Sequence, residues 1–110
     1  MASNKKYDYV LTEVAEADID DAFEYIAVEL ANPDAASDFA DELEEKLDEL
    51  CKTPKSGRLV ENDFLKRDDI RRILVGSFVA YYVIDDEKKQ IVVLRVVYSK
   101  RDQGKILKEV

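Results

Sequence analysis

The sequence contains no histidine, a single cysteine, three glycines and two prolines in 110 residues. The lone Cys51 excludes an intramolecular disulfide framework. With no histidine to act as its base, Cys51 is not a nucleophile and reads as a partly buried thiol at a helix end. No glycine-rich phosphate loop, zinc-ligand spacing or calcium loop occurs, so no metal and no cofactor is expected. The start, MASNKKYDYV, lacks the apolar stretch of a signal peptide. No apolar run approaches the roughly 20 residues that cross a bilayer, so no membrane partner is expected and the reading is a cytoplasmic protein. What is present, 46% hydrophobic and 38% charged residues, is the composition of one folded domain spanning residues 1–110.

The charge is unevenly spread. Met1–Pro54 carries four Lys/Arg against sixteen Asp/Glu, a charge of −12, and Lys55–Val110 carries thirteen against nine, +4, which together make the net −8. An acidic first half beside a mildly basic second half makes a dipolar surface. The basic half suits an anion, and the acidic half repels nucleic acid wherever the two share a face.

Periodicity divides the chain. Tyr7–Leu11 is a short strand rich in Tyr and Val. Thr12 caps a helix over Thr12–Leu30, whose apolar positions Ala15, Ile19, Ala22, Phe23, Ile26, Ala27 and Leu30 recur at spacings of three and four. Asn32-Pro33 breaks it. Asp34 then opens a second helix with the stripe Ala36, Phe39, Ala40, Leu43, Leu47 and Leu50, ended by Thr53-Pro54. Lys55–Asp69, with the apolar pair Phe64-Leu65, is a loop with room for a helical turn or a short strand. Ile70–Val75 and Phe78–Ile84 are strands joined by the hairpin signal Gly76-Ser77. Asp85–Lys89 is a turn, Ile91–Tyr98 the last strand, and Gln103–Val110 a charged tail, frayed or forming one helical turn. The order β-α-α-β-β-β is an α+β fold: an antiparallel sheet with a two-helix hairpin packed on one face.

The stretch Ile91–Asp102 carries the candidate chemistry. Arg95 lies inside a run of Ile, Val and Leu and needs a carboxylate, a phosphate or water. If its face packs on the helices, it pairs with a helix acid. If Val92, Leu94 and Val96 face the helices, Arg95 stands on the open face, the cheaper arrangement for a guanidinium. Arg71 and Arg72 alternate to opposite faces. Of the adjacent Tyr81 and Tyr82, one is expected in the core and one exposed. The strand ends in Tyr98, Ser99, Lys100, Arg101 and Asp102.

A set of fragments in order resembles the RelE/ParE superfamily of bacterial type II toxins, nearer its ParE-like branch. They are Tyr9-Val10-Leu11-Thr12, Asp18-Ile19, Ala35-Ala36 with Phe39, Pro54 with Gly57-Arg58, Ile70-Arg71-Arg72-Ile73, Val75-Gly76-Ser77-Phe78, Tyr81-Tyr82, Val93-Leu94-Arg95-Val96 and Lys100-Arg101-Asp102. The resemblance implies a toxin neutralised by a cognate antitoxin protein. Its target is DNA gyrase if ParE-like, or mRNA on the ribosome if a RelE-like endonuclease. A third option is a decayed member that only binds antitoxin. The oligomeric state stays open.

For metal-independent RNA cleavage the resemblance points to Arg101 as a phosphate-binding arginine, Lys100 as a second cation and Tyr98 as a proton donor. Arg58, Arg71, Arg72 and Arg95 are the candidates for holding an anion or a target. Two nuclease side chains have no counterpart: an arginine position falls on Phe78 and a tyrosine position on Leu107. Nuclease branches that use a histidine base are not matched.

Overall fold

The structure, a computed structural model, describes residues 6–61, 67–101 and 103–108. Phe64, Leu65 and Asp102 lie outside the described residues. Strand β1 (Asp8–Leu11) leads through Thr12 into helix α1 (Glu13–Glu24). Thr12 Oγ1 accepts from the Ala15 amide at 3.0 Å, and Glu13 and Glu16 sit in the first turn, where their charge complements the helix dipole. A π-helical turn, Tyr25–Glu29, extends α1. Ala31 then adopts a left-handed φ of 49°, and the Asn32 side chain caps helix α2 (Pro33–Lys52), with Pro33 in the first turn. A 3₁₀ turn, Pro54–Ser56, leads to β2 (Arg58–Leu59). The chain closes with β3 (Arg71–Val75), β4 (Phe78–Asp85), β5 (Gln90–Tyr98) and helix α3 (Gln103–Lys108).

The sheet order is β1-β5-β4-β3-β2. The β2–β3, β3–β4 and β4–β5 pairs are antiparallel. The β1–β5 pair is parallel, so the sheet is mixed at one edge rather than antiparallel throughout. Gly76, at φ 58°, opens the tight β3–β4 turn, where a side chain would be strained.

One face of the sheet receives the α1–α2 hairpin. Ala15, Ala22, Ile26, Phe39, Leu43 and Leu47 pack there against Val75, Phe78, Ala80, Tyr82, Ile91, Val93 and Val96. The other face carries a smaller core of Ile70, Val79, Tyr81, Val83, Val97, Ile106 and Leu107. Over Gln103–Lys108 the tail takes the helical alternative: α3 lays Ile106 and Leu107 over the second face. Both Tyr81 and Tyr82 are buried, one in each core, because both faces are covered at that point. Cys51 is fully buried rather than partly so.

The sheet departs from simple alternation in β5. Tyr81 pairs with Arg95 but Tyr82 with Val93, so Leu94 is an extra residue, a β-bulge. Before the bulge Ile91 and Val93 face the hairpin; after it, Val96 does. Neither regular alternation describes this strand.

Candidate functional site

The bulge decides where Arg95 goes. β1 ends at Leu11, opposite Val93, so β5 beyond that point has no neighbouring strand on its outer side. The start of α1 fills the gap. Thr12 Oγ1 donates to the Leu94 carbonyl at 3.1 Å, and the Val96 amide donates to Asp18 Oδ2 at 3.0 Å. Arg95 Nε and Nη2 donate to the same carboxylate at 2.7 and 3.1 Å, with both side chains about 12% exposed. Arg95 is therefore not on an open face. It neutralises the acid that takes the place of a strand at the sheet edge.

Arg71 is also engaged: its Nη1 donates to the carbonyls of Gly57 at 2.7 Å and Lys55 at 3.2 Å. This ties the 3₁₀ turn to the sheet. Beneath it, the Tyr82 hydroxyl donates to the Pro54 carbonyl at 2.7 Å and accepts from the Gly57 amide at 3.0 Å. A Cβ at Gly57 would lie 2.3 Å from that hydroxyl, so the backbone approach requires glycine.

Arg72 points to the opposite face, where Arg58 is its partner across the β2–β3 pair. Both are exposed, and paired residues of an antiparallel ladder share a face, so both side chains rise from the same face. They line a cavity of about 570 Å³ with Glu61, Tyr81, Gln103 and Leu107. The Tyr81 hydroxyl donates to Gln103 Oε1, while Gln103 Nε2 donates to the carbonyls of Tyr98, Ser99 and Arg101. Burial pushes the Tyr81 pKa up, with the charge of Arg72 pulling against it.

Tyr98, Lys100 and Arg101 lie elsewhere. The Ser99 amide bonds to the Ser77 carbonyl at 2.9 Å and the Arg101 amide to the Tyr98 carbonyl at 3.1 Å, fixing the turn after β5 against the β3–β4 turn. Lys100 and Arg101 are exposed. The ring of Tyr98 packs edge-on against Phe78 at 5.8 Å, and Phe78 packs against Phe39 at 4.8 Å. Tyr98 thus serves as a packing surface beside Arg101.

Two cavities meet there on the hairpin side. One, about 510 Å³, runs from Leu30 and Ala35 past Asp38, Phe39 and Glu42 to Val75 and Phe78. The other, about 370 Å³, runs from Asp18, Asp21 and Ala22 past Val96 and Val97 to Arg101. Tyr25, Phe78 and Tyr98 line both, so they form one apolar groove between the hairpin and the sheet end. Tyr25 opens the π-helical turn and is half exposed. The sequence signal for it was an aromatic lying off the apolar stripe of α1. Asp18 was marked only by the Asp18-Ile19 fragment of the resemblance, which does not single it out as the partner of Arg95; for Gln103 no sequence signal distinguishes it from other polar surface residues.

The seven candidate side chains thus divide. Tyr98 and Arg101 line the hairpin-side groove with Lys100 beside them. Arg58 and Arg72 share the other face. Arg71 and Arg95 hold the frame.

The sequence profile of the ParE toxin of type II toxin–antitoxin system, parDE, matches residues 9–103. The chain belongs to the ParE toxin family. It is a type II toxin of the ParE/RelE fold, and solved structures show the same architecture. Against the chromosomal ParDE toxin–antitoxin system of P. aeruginosa the TM-score is 0.67 at 20% identity, covering 89% of this chain and 100% of that one. Against the RelBE toxin–antitoxin complex of Mycobacterium tuberculosis it is 0.61 at 21%, covering 84% and 98%. Against the isolated E. coli RelE toxin it is 0.55 at 17%, covering 94% and 97%. No curated protein matches the sequence significantly.

Proposed function

We propose that this ParE-family toxin acts in the cytoplasm by binding a macromolecular target, DNA gyrase, and that a cognate antitoxin protein neutralises it. The observation that carries this reading is the division of the cationic side chains. A phosphoryl-transfer site needs its acid, base and charge-stabilising groups within hydrogen-bond reach of one phosphate. Here Arg101 and Tyr98 line an apolar groove on the hairpin side, whereas Arg58 and Arg72 stand on the opposite face. The hairpin-side groove, aromatic and apolar with a polar rim, suits protein recognition. The ParDE and RelBE structures that share this fold are toxin–antitoxin systems, which supports an antitoxin partner.

The test pairs two assays. The purified protein is expected to inhibit DNA supercoiling by gyrase, and mRNA from cells expressing it is expected to stay intact. Codon-linked mRNA cuts that vanish in Arg101→Ala or in Arg58→Ala/Arg72→Ala would replace this reading with a ribosome-dependent endonuclease. That second reading is favoured by one observation, the Arg58–Arg72 pair beside the Tyr81 hydroxyl, which suits a phosphodiester. Growth unaffected by expression would leave the decayed member that only binds antitoxin.

A further inference from the structure

The turn that carries Arg101 is held from two sides. The Arg101 amide donates to the Tyr98 carbonyl at 3.1 Å, closing four residues, and the Ser99 amide donates to the Ser77 carbonyl at 2.9 Å. From the opposite side, the Gln103 side chain reaches under the same turn. Its Nε2 lies 3.1 Å from the Tyr98 carbonyl, 3.2 Å from that of Ser99 and 2.9 Å from that of Arg101. Its Oε1 accepts from the hydroxyl of Tyr81, whose ring is buried in the core of the second sheet face.

This arrangement needs a side chain that donates at one end and accepts at the other. Backbone carbonyls only accept, so the end facing three of them has to be a donor. With the nitrogen committed there, the oxygen is left for Tyr81, and the phenol donates. A carboxylate has no donor for the carbonyls, and an ammonium has no acceptor for the phenol. Tyr81 therefore fixes which way the amide points, and the amide fixes the turn. Both backbone polar groups of Arg101 are tied, its N–H to Tyr98 and its carbonyl to Gln103. Arg101 lines the hairpin-side groove, while Gln103 lines the cavity on the other face.

We infer that Gln103 is the positioning residue for Arg101. It acts from the far face and touches nothing that Arg101 meets. A turn already held loses less conformational freedom when a target engages it, so the amide clamp strengthens binding at the Arg101 end. That Arg101 meets the target rests on the function proposed above; that Gln103 holds the turn does not.

Gln103→Glu in the whole protein is the test, since it keeps the length and the acceptor for Tyr81 and removes the donor. Gln103→Met, neutral and of similar length, separates loss of the donor from gain of a charge. By nitrogen-15 relaxation, the order parameter of the Arg101 amide is expected to fall from about 0.85 to below about 0.6 in both, with the Ile106 and Leu107 methyl signals in place. Half-inhibition of gyrase supercoiling is expected to need roughly tenfold more of either variant. In an Arg101→Ala background the same changes are expected to matter less than about twofold, because no side chain is left to place. Tyr81→Phe, which leaves the amide without its orienting donor, is expected to lose about threefold, and it carries the test if the Gln103 variants do not fold.

A loss that adds to that of Arg101→Ala, or one seen in Gln103→Glu and not in Gln103→Met, overturns the inference. So do methyl signals that move with the turn, which would make Gln103 an anchor of α3 alone. The two readings fail separately. If the unaltered protein does not inhibit gyrase, the target reading falls and the order of Arg101 still decides the role of Gln103. If it inhibits and all three variants inhibit equally well, the target reading stands and the positioning role falls.

Discussion

At the scale of single residues, Tyr82 and Asp18 each hold two parts of the chain together. Tyr82→Phe leaves the Gly57 amide and the Pro54 carbonyl without their shared hydroxyl, and is expected to cost about 1–3 kcal/mol by urea denaturation at pH 7. Burial raises the pKa of Tyr82 above its ordinary 10.0, since the buried site disfavours phenolate. The unfolded chain therefore ionises first. The stabilisation is whole below pH 10.0 and lost as pH rises from there through the folded value. Tyr81 acts in the same sense. The alkaline fall in stability is expected to be shallower in Tyr82→Phe and shallowest when both tyrosines are phenylalanine. Asp18→Ala strands Arg95 at the sheet edge and also frees the Val96 amide; a loss of roughly 2–4 kcal/mol is expected. Adding Arg95→Ala should recover part of that loss, since no guanidinium is then left without its acid. Additive losses in the double variant would show that the pair is not coupled.

At the scale of elements, the two helices, the β3–β4 hairpin and the last strand were legible because their signals are local. The apolar stripe of α2, from Ala36 to Leu50, is the buried stripe. Gly76 stands at the turn that Gly76-Ser77 announces. What was not legible depends on contacts distant in sequence. The parallel β1–β5 pair joins residues about eighty apart, and nothing in KYDYVL specifies the direction of its neighbour. The bulge at Leu94 leaves IVVLRVV looking like plain alternation, so the side of Arg95 could not be read from its parity. Helix α3 has only six residues, too short for periodicity to reveal that Ile106 and Leu107 cover the second face. Ile106→Ala is expected to cost about 2–4 kcal/mol in denaturant, with near-ultraviolet dichroism showing the loss of order around Tyr81. A change under 0.5 kcal/mol, within the range of ordinary surface substitutions, would show that α3 is not docked.

At the scale of the whole molecule, the segregation of charge in sequence becomes a segregation in space. The acids of the first half decorate the helical hairpin, and Arg58 and Arg72 stand on the far face of the sheet. This separates two kinds of loss. Arg58→Glu/Arg72→Glu is expected to leave partner binding in the hairpin-side groove unchanged within about twofold, because surface charges on opposite faces are screened beyond roughly 8 Å in physiological salt. Binding measured by calorimetry against the neutralising partner checks this. A tenfold loss would place the partner across both faces. In the supercoiling assay proposed above, inhibition that persists in this variant would place the target at the Arg101 end alone, and inhibition that is lost would bring in the far face.

The order of the strands also sets a clock. β5, which lies between β1 and β4, is residues Gln90–Tyr98, and the turn carrying Arg101 follows it. A ribosome that has released the chain only as far as Asp85 has made both helices and the β3–β4 hairpin. It has not made the strand that joins β1 to them, the Asp18 contacts, or the Tyr98 wall of the groove. Strand pairing of such long range forms late. The Arg101 turn and the Tyr98 wall of the groove are therefore completed only at the end of synthesis, and a message broken before the codons for β5 yields neither.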